Sequence, residues 1–230
     1  MGFLYYDFYY LILVVPAMLI SLWAQFNIKS TYRKQGKILN ARGITGAQAA
    51  QAVLNYYGIH DVMIRPIKGT LTDNYNPSNK VLSLSQGVFD STSIAAVGIA
   101  CHEVGHAIQH DCGYMPIRLR TALVPVCNVG STIGLPLAII GYFLGFSPLV
   151  SVGLILYSLI AVFQFVTLPV EFNASRRALH AIEECGLLAD SENDGAKKVL
   201  TAAALTYVAA LIVSLANLLR FFIRFSGRKR

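Results

Sequence analysis

The sequence predicts a mostly α-helical, integral-membrane fold: about four transmembrane helices plus a small α+β unit. Three observations predict it. Of the 230 residues, 55% are hydrophobic and only 13% are charged, against about 25% charged in ordinary soluble domains. Four apolar runs reach the roughly 20 residues that crossing a bilayer requires. Between the first and second of them lies a polar stretch, residues 28–120, with turn and strand composition of its own. The whole chain, 1–230, is read as one membrane domain.

The first run covers residues 8–26. The start MGFLYYDFYY has no basic segment and no small-residue cleavage pattern follows it, so the run is expected to be an uncleaved anchor rather than a signal peptide. Residues 121–146 and 149–170 form a transmembrane hairpin closed by the turn Gly145–Pro148, and 200–219 is the last span. Pro125, Pro136 and Gly141 fall inside the second run; lipid-buried helices tolerate such residues where neighbours satisfy the freed backbone groups.

Lys29, Arg33, Lys34, Lys37 and Arg42 follow the first span, and nothing basic precedes it. The positive-inside rule then puts Met1 outside and residues 28–120 in the cytoplasm. The hairpin returns the chain to that side at Glu171, where Arg176, Arg177, Lys197 and Lys198 agree. Arg224, Arg228, Lys229 and Arg230, beyond the last span, run against the rule. The net charge of +7 fits an anionic bilayer surface as partner. No basic stripe interleaved with aromatics is present, so nucleic acid is the weaker reading and is not expected as a partner. Cys101, Cys112, Cys127 and Cys185 include no C-x-x-C pair, which disfavours a disulfide framework or a thiolate metal site.

Within the polar stretch, Thr45 is placed to cap a helix over residues 46–57, with Gly58 as its stop. Residues 62–66 and 69–72 read as short strands, 73–80 as turn chemistry, and 81–85 alternates as a half-buried strand does. A β-hairpin beside the next helix is therefore expected, able to present an edge to an extended peptide or to serve as plain support. Asp90, Ser91 or Ser93 caps that next helix, whose apolar residues Ile94, Val97, Ala100 and Cys101 recur at helical spacing.

That helix carries His102-Glu103-Val104-Gly105-His106, followed by His110. On a helix, His102 and His106 lie about 40° apart around the axis and about 6 Å along it, so both imidazoles can meet one ion. Glu103 is turned about 100° from His102, beside the ion, where a general base for water is needed. His110 stands about 12 Å along the axis from His102, too far to share an ion with it. A supporting role beside the site is its expected place. The third ligand must come from elsewhere. Only Glu103 and Glu171 precede residue 183 among the glutamates, and a lone carboxylate at a membrane boundary is costly without a partner. One zinc ion per chain, held by His102, His106 and Glu171, is the expectation; a solvated Glu171 paired with Arg176 or Arg177 is the competing one. Ser175, four residues on, shares the face of Glu171 and can bond it or an imidazole. His180, nine residues on, lies off that face. His60 and Tyr75 are candidates for oxyanion or substrate contact.

Asp73–Pro77, Leu82–Ser85, Ser93–Ala96, His102–Gln109 and Leu168–Ala178, in that order, resemble the YugP-like neutral zinc metallopeptidases of bacterial membranes along nearly the whole chain. The resemblance implies a multi-pass protein of the bacterial cell membrane with a peptidase site. There His102, His106 and Glu171 would be ligands and Glu103 the base, acting on a polypeptide substrate at the membrane. A more distant likeness is to membrane gluzincins, which carry Glu-x-x-Ala-Asp; Ser175 stands where that Asp would be. Asn74 and Asn76 replace the His and Asp frequent in the YugP-like turn. Two other function classes compete. A zinc-stabilised scaffold binding partners through the hairpin has no need of Glu103. A metal transporter would need ligands in the middle of a span, where none lies.

Overall fold

The computed structural model describes residues 8–226. The expected class is the one observed: the described residues are mostly helical, with a small three-stranded sheet and, among them, four helices long and apolar enough to cross a membrane. A π-helical segment, Tyr10–Val14, leads into α1 (Val15–Gln35), followed by α2 (Gly46–Tyr56). Strands β1 (Met63–Ile67), β2 (Asn74–Asn76) and β3 (Val81–Ser85) come next. The short α3 (Gln86–Phe89) precedes α4 (Ile94–Asp111), α5 (Met115–Leu144), α6 (Ser147–Glu184) and α7 (Asp190–Ser226). The expectations for Met1, Arg228, Lys229 and Arg230 concern residues outside the described ones.

Two compact units can be distinguished. One comprises residues 119–168 together with residues 8–25 and 206–226. In it α5 and α6 approach backbone to backbone. A Cβ on Gly134 would come 2.6 Å from the Tyr157 amide nitrogen, and one on Gly153 would come 2.4 Å from that of Ala138. Helices in lipid gain nothing from burying apolar side chains against each other, so small residues that permit close van der Waals packing hold them together. Ile155, Phe165 and Leu144 are each more than 60% exposed, an exterior suited to hydrocarbon and not to water.

The other unit comprises residues 26–118 and 169–205. Its core is α4, whose residues from Ile94 to Cys101 are all buried. Around α4 pack Ala49, Ala50, Val53 and Leu54 of α2, Leu82 and Leu84 of β3, Ala178, Ala181 and Ile182 of α6, and Ala196, Val199 and Leu200 of α7. Thr45 caps α2 as expected, in a reciprocal box: its hydroxyl accepts from the Gln48 amide while the Gln48 side chain accepts from the Thr45 amide. Of the three expected caps for α4, Ser93 is the one that accepts, from the Ala96 amide.

The sheet differs from expectation in two places. Its order is β1-β3-β2, with β1 parallel and β2 antiparallel to β3. Residues 69–72 are not a strand; Gly69 (φ +115°) and Leu71 (φ +56°) adopt turn conformations there. The strand lies one step later, at Asn74–Asn76, inside the stretch of turn composition, because pairing with Val81–Ser83 overrides a poor β propensity. The hairpin turn between β2 and β3 closes with Lys80 at φ +53°.

Candidate metal centre

Helices α4 and α6 carry the centre, and a glycine sets their separation. A Cβ on Gly105 would lie 2.7 Å from the Ala174 carbonyl oxygen, so only glycine lets α4 sit this close to the turn of α6 that bears Glu171 and Ser175. Gly105→Ala is expected to cost about 1–3 kcal/mol of stability, the range for forcing a methyl into a packed interior. It should also weaken metal affinity by parting the two helices. Thermal unfolding and a zinc titration read the two effects; unchanged values in both would mean that the contact sets nothing.

Across that contact the Oε2 of Glu171 stands 3.2 Å from Nε2 of His102 and 3.6 Å from Nε2 of His106. One ligand atom from each of the three residues lies within 4.8 Å of the other two, an arrangement that could hold a metal ion. The imidazole rings are steeply inclined, 84° between planes. Glu171 is 2% exposed, and Arg177 is engaged with Asn173 through its Nε at 2.8 Å. Buried and faced by two imidazoles, Glu171 is not the solvated carboxylate of the competing expectation. A buried carboxylate faced by two imidazole nitrogens is a mixed nitrogen and oxygen donor set suited to zinc.

The outer nitrogens of both rings are held. Gln109 is 0% exposed; its Nε2 donates to the Val170 carbonyl at 2.8 Å and to Asn173 Oδ1 at 3.0 Å. Its amide oxygen therefore faces Nδ1 of His106, at 3.0 Å. An oxygen there only accepts, so Nδ1 carries a proton and Nε2 is the nitrogen left to face Glu171. His102 Nδ1 lies 3.1 Å from the Ser175 hydroxyl, which can accept in the same sense. Ser175 thus reaches an imidazole, one of its two expected partners. Gln109, Asn173 and Arg177 form a supporting chain, of which only Arg177 was anticipated, and then as a partner of Glu171. The available signal was the position of Gln109, three residues after His106 on the same helical face.

Glu103 is half-buried beside the cluster. Burial raises its carboxyl above the usual carboxylate range, while the His106 and His102 imidazoles pull the other way and Glu171 pushes it further up. His110 lies outside the three-residue cluster and packs against the Tyr75 ring, with centroids 5.9 Å apart. The pair joins the edge strand β2 to the last turn of α4. His60 is exposed in the loop before β1, next to the ion pair of Asp61 with Lys80. His180 is exposed and faces Glu184 at 3.9 Å.

A chain with four bilayer-length apolar helices, an H-E-x-x-H helix and a converging buried glutamate defines a class, and the comparisons agree with it. The chain belongs to the family described as "Putative neutral zinc metallopeptidase", whose profile matches residues 10–226. It is 45% identical over 220 residues to the "Putative membrane protease YugP" of Bacillus subtilis (strain 168), covering 95% of this chain and 98% of that one. No solved structure matches it.

Proposed function

We propose that the protein is a multi-pass membrane zinc metallopeptidase, with one zinc per chain held by His102, His106 and Glu171 and with Glu103 as general acid–base. The observation that supports this most is the meeting of two Nε2 atoms and a buried carboxylate oxygen next to a second carboxylate that takes no part in the cluster. Zinc held there supplies Lewis acidity toward a peptide carbonyl and toward water. Glu103 accepts the proton of the attacking water and delivers it to the departing amine, so that the base at the start of the cycle is the acid at its end. Its affinity for protons, raised by burial, suits that exchange. Gln109 and Ser175 hold the rings in the required tautomer. Tyr75, with His110 behind it, and His60 are the candidate contacts for substrate or oxyanion. The substrate class is a membrane-associated polypeptide, and the basic residues after the first span favour a cytoplasmic-facing site.

Purified full-length protein in detergent should cleave a fluorogenic peptide mixture, lose that activity to a zinc chelator and regain it on zinc addition. Chelator-resistant cleavage, or none under any zinc condition, would overturn the reading. The supporting chain has its own test. Gln109→Leu keeps the volume but removes the acceptor, and zinc affinity measured against a competing chelator is expected to fall about 10–100-fold, as it does when partners of ligating histidines are lost. An unchanged affinity would remove Gln109 from the positioning role.

A further inference from the structure

A groove of about 370 Å³ lies between α1 and α7, shares no residue with the metal centre, and is lined by Asn27, Thr31, Asp194, Lys197, Lys198, Thr201, Ala202 and Leu205. Its size falls within the range of about 300–1,000 Å³ usual for small-molecule sites. The α7 contributions recur at helical spacing from Asp194 to Leu205, so one face of that helix forms a wall. The lining changes character along that wall. Lys197 and Lys198 are exposed at one end, and Ala202 and Leu205, at the other, are buried and half-buried. Asn27 and Thr31 on α1 lie where that helix leaves its own apolar run for Lys29 and Arg33. Both helices therefore pass from apolar to cationic at the same groove.

We propose that this groove binds the phosphate of an anionic phospholipid headgroup. The ammonium groups of Lys197 and Lys198 supply charge, and the Thr31, Thr201 and Asn27 side chains supply hydrogen bonds. Ala202 and Leu205 meet the start of the acyl chains. Asp194 tempers the charge, but two lysines outnumber it. Basic pockets between membrane helices at the polar boundary suit such headgroups, each Lys or Arg near an anionic surface adding about 1 kcal/mol. The proposal rests on α1 and α7 crossing a membrane and is independent of the peptidase reading.

The test titrates full-length protein in neutral detergent with phosphatidylglycerol, phosphatidylcholine or inorganic phosphate. It reads the unfolding midpoint, and by native mass spectrometry the number of lipids retained. Phosphatidylglycerol should raise the midpoint and remain bound, whereas phosphatidylcholine should do neither. Lys197→Gln with Lys198→Gln should weaken the phosphatidylglycerol effect about tenfold or more. Arg33→Gln with Lys37→Gln, which removes the same charge from residues that do not line the groove, should leave it intact. Equal losses in the two double variants would reduce the effect to diffuse charge and overturn the site. Inorganic phosphate reproducing the full shift would make free phosphate the ligand and overturn the lipid, as would equal responses to the two lipids or none.

Discussion

Glu103→Gln is expected to leave zinc binding intact while lowering peptide cleavage by at least about 100-fold, within the 10²–10⁴ that positioned proton transfer contributes. The side chains of His102, His106 and Glu171 converge without it, so an isosteric amide removes no donor from the set. What the amide cannot do is hold and release a proton. A half-buried carboxyl whose proton affinity is raised by burial and restrained by two neighbouring imidazoles is placed for that exchange, and glutamine has no counterpart to it. Zinc per chain and single-turnover cleavage, measured on the same preparation, separate the two properties. Cleavage at wild-type rate would sink the proposed mechanism. Loss of zinc together with activity would instead make Glu103 part of the metal's own support.

Glu171→Ala is expected to lose both. Removal of a hydrogen-bonding partner of a ligating histidine already weakens metal affinity about 10–100-fold, and removal of a ligand should exceed that. Glu171 is also one of the largest fully buried side chains in the protein, so truncation leaves a void between α4 and α6 and two imidazoles facing it. A stability loss of a few kcal/mol, about that of deleting one member of a buried charged pair, should accompany the loss of metal. Glu171→Gln separates packing from ligation, since it preserves the volume and one oxygen donor while removing the charge. It should unfold near the wild-type temperature and still bind zinc poorly. Full metal occupancy in the alanine variant would remove Glu171 from the ligand set.

Much of the centre is legible in the sequence because it is local or scarce. The spacing of His102 and His106 places them on one helical face wherever that helix packs, and Ser93 announces where it begins. Glu171 stands out because glutamate is nearly absent from the first 182 residues, and because burying it at a membrane boundary demands a partner. The supporting chain was hidden for the opposite reason. Gln109 meets Asn173 only once α4 and α6 lie in register, and the register depends on the contact of Gly105 with Ala174, sixty-nine positions apart in ordinary residues of no distinctive chemistry. Strand β2 was hidden by composition: Asn74 and Asn76 favour turns, and only the presence of β3 makes them a strand. Helix ends differed for a further reason. The apolar run ends near residue 170, whereas α6 runs on to Glu184 because nothing in Glu171–Glu184 breaks a helix. That continuation carries Glu171, Asn173, Ser175 and Arg177 on one rigid element.

Zinc K-edge absorption on the loaded, full-length protein reads the atoms around the metal. Two imidazole nitrogens at about 2.0–2.1 Å, a carboxylate oxygen at about 2.0–2.2 Å and no sulfur are expected. A sulfur shell near 2.3 Å, bringing in a cysteine, or a third imidazole in place of the carboxylate, would contradict the proposed ligand set.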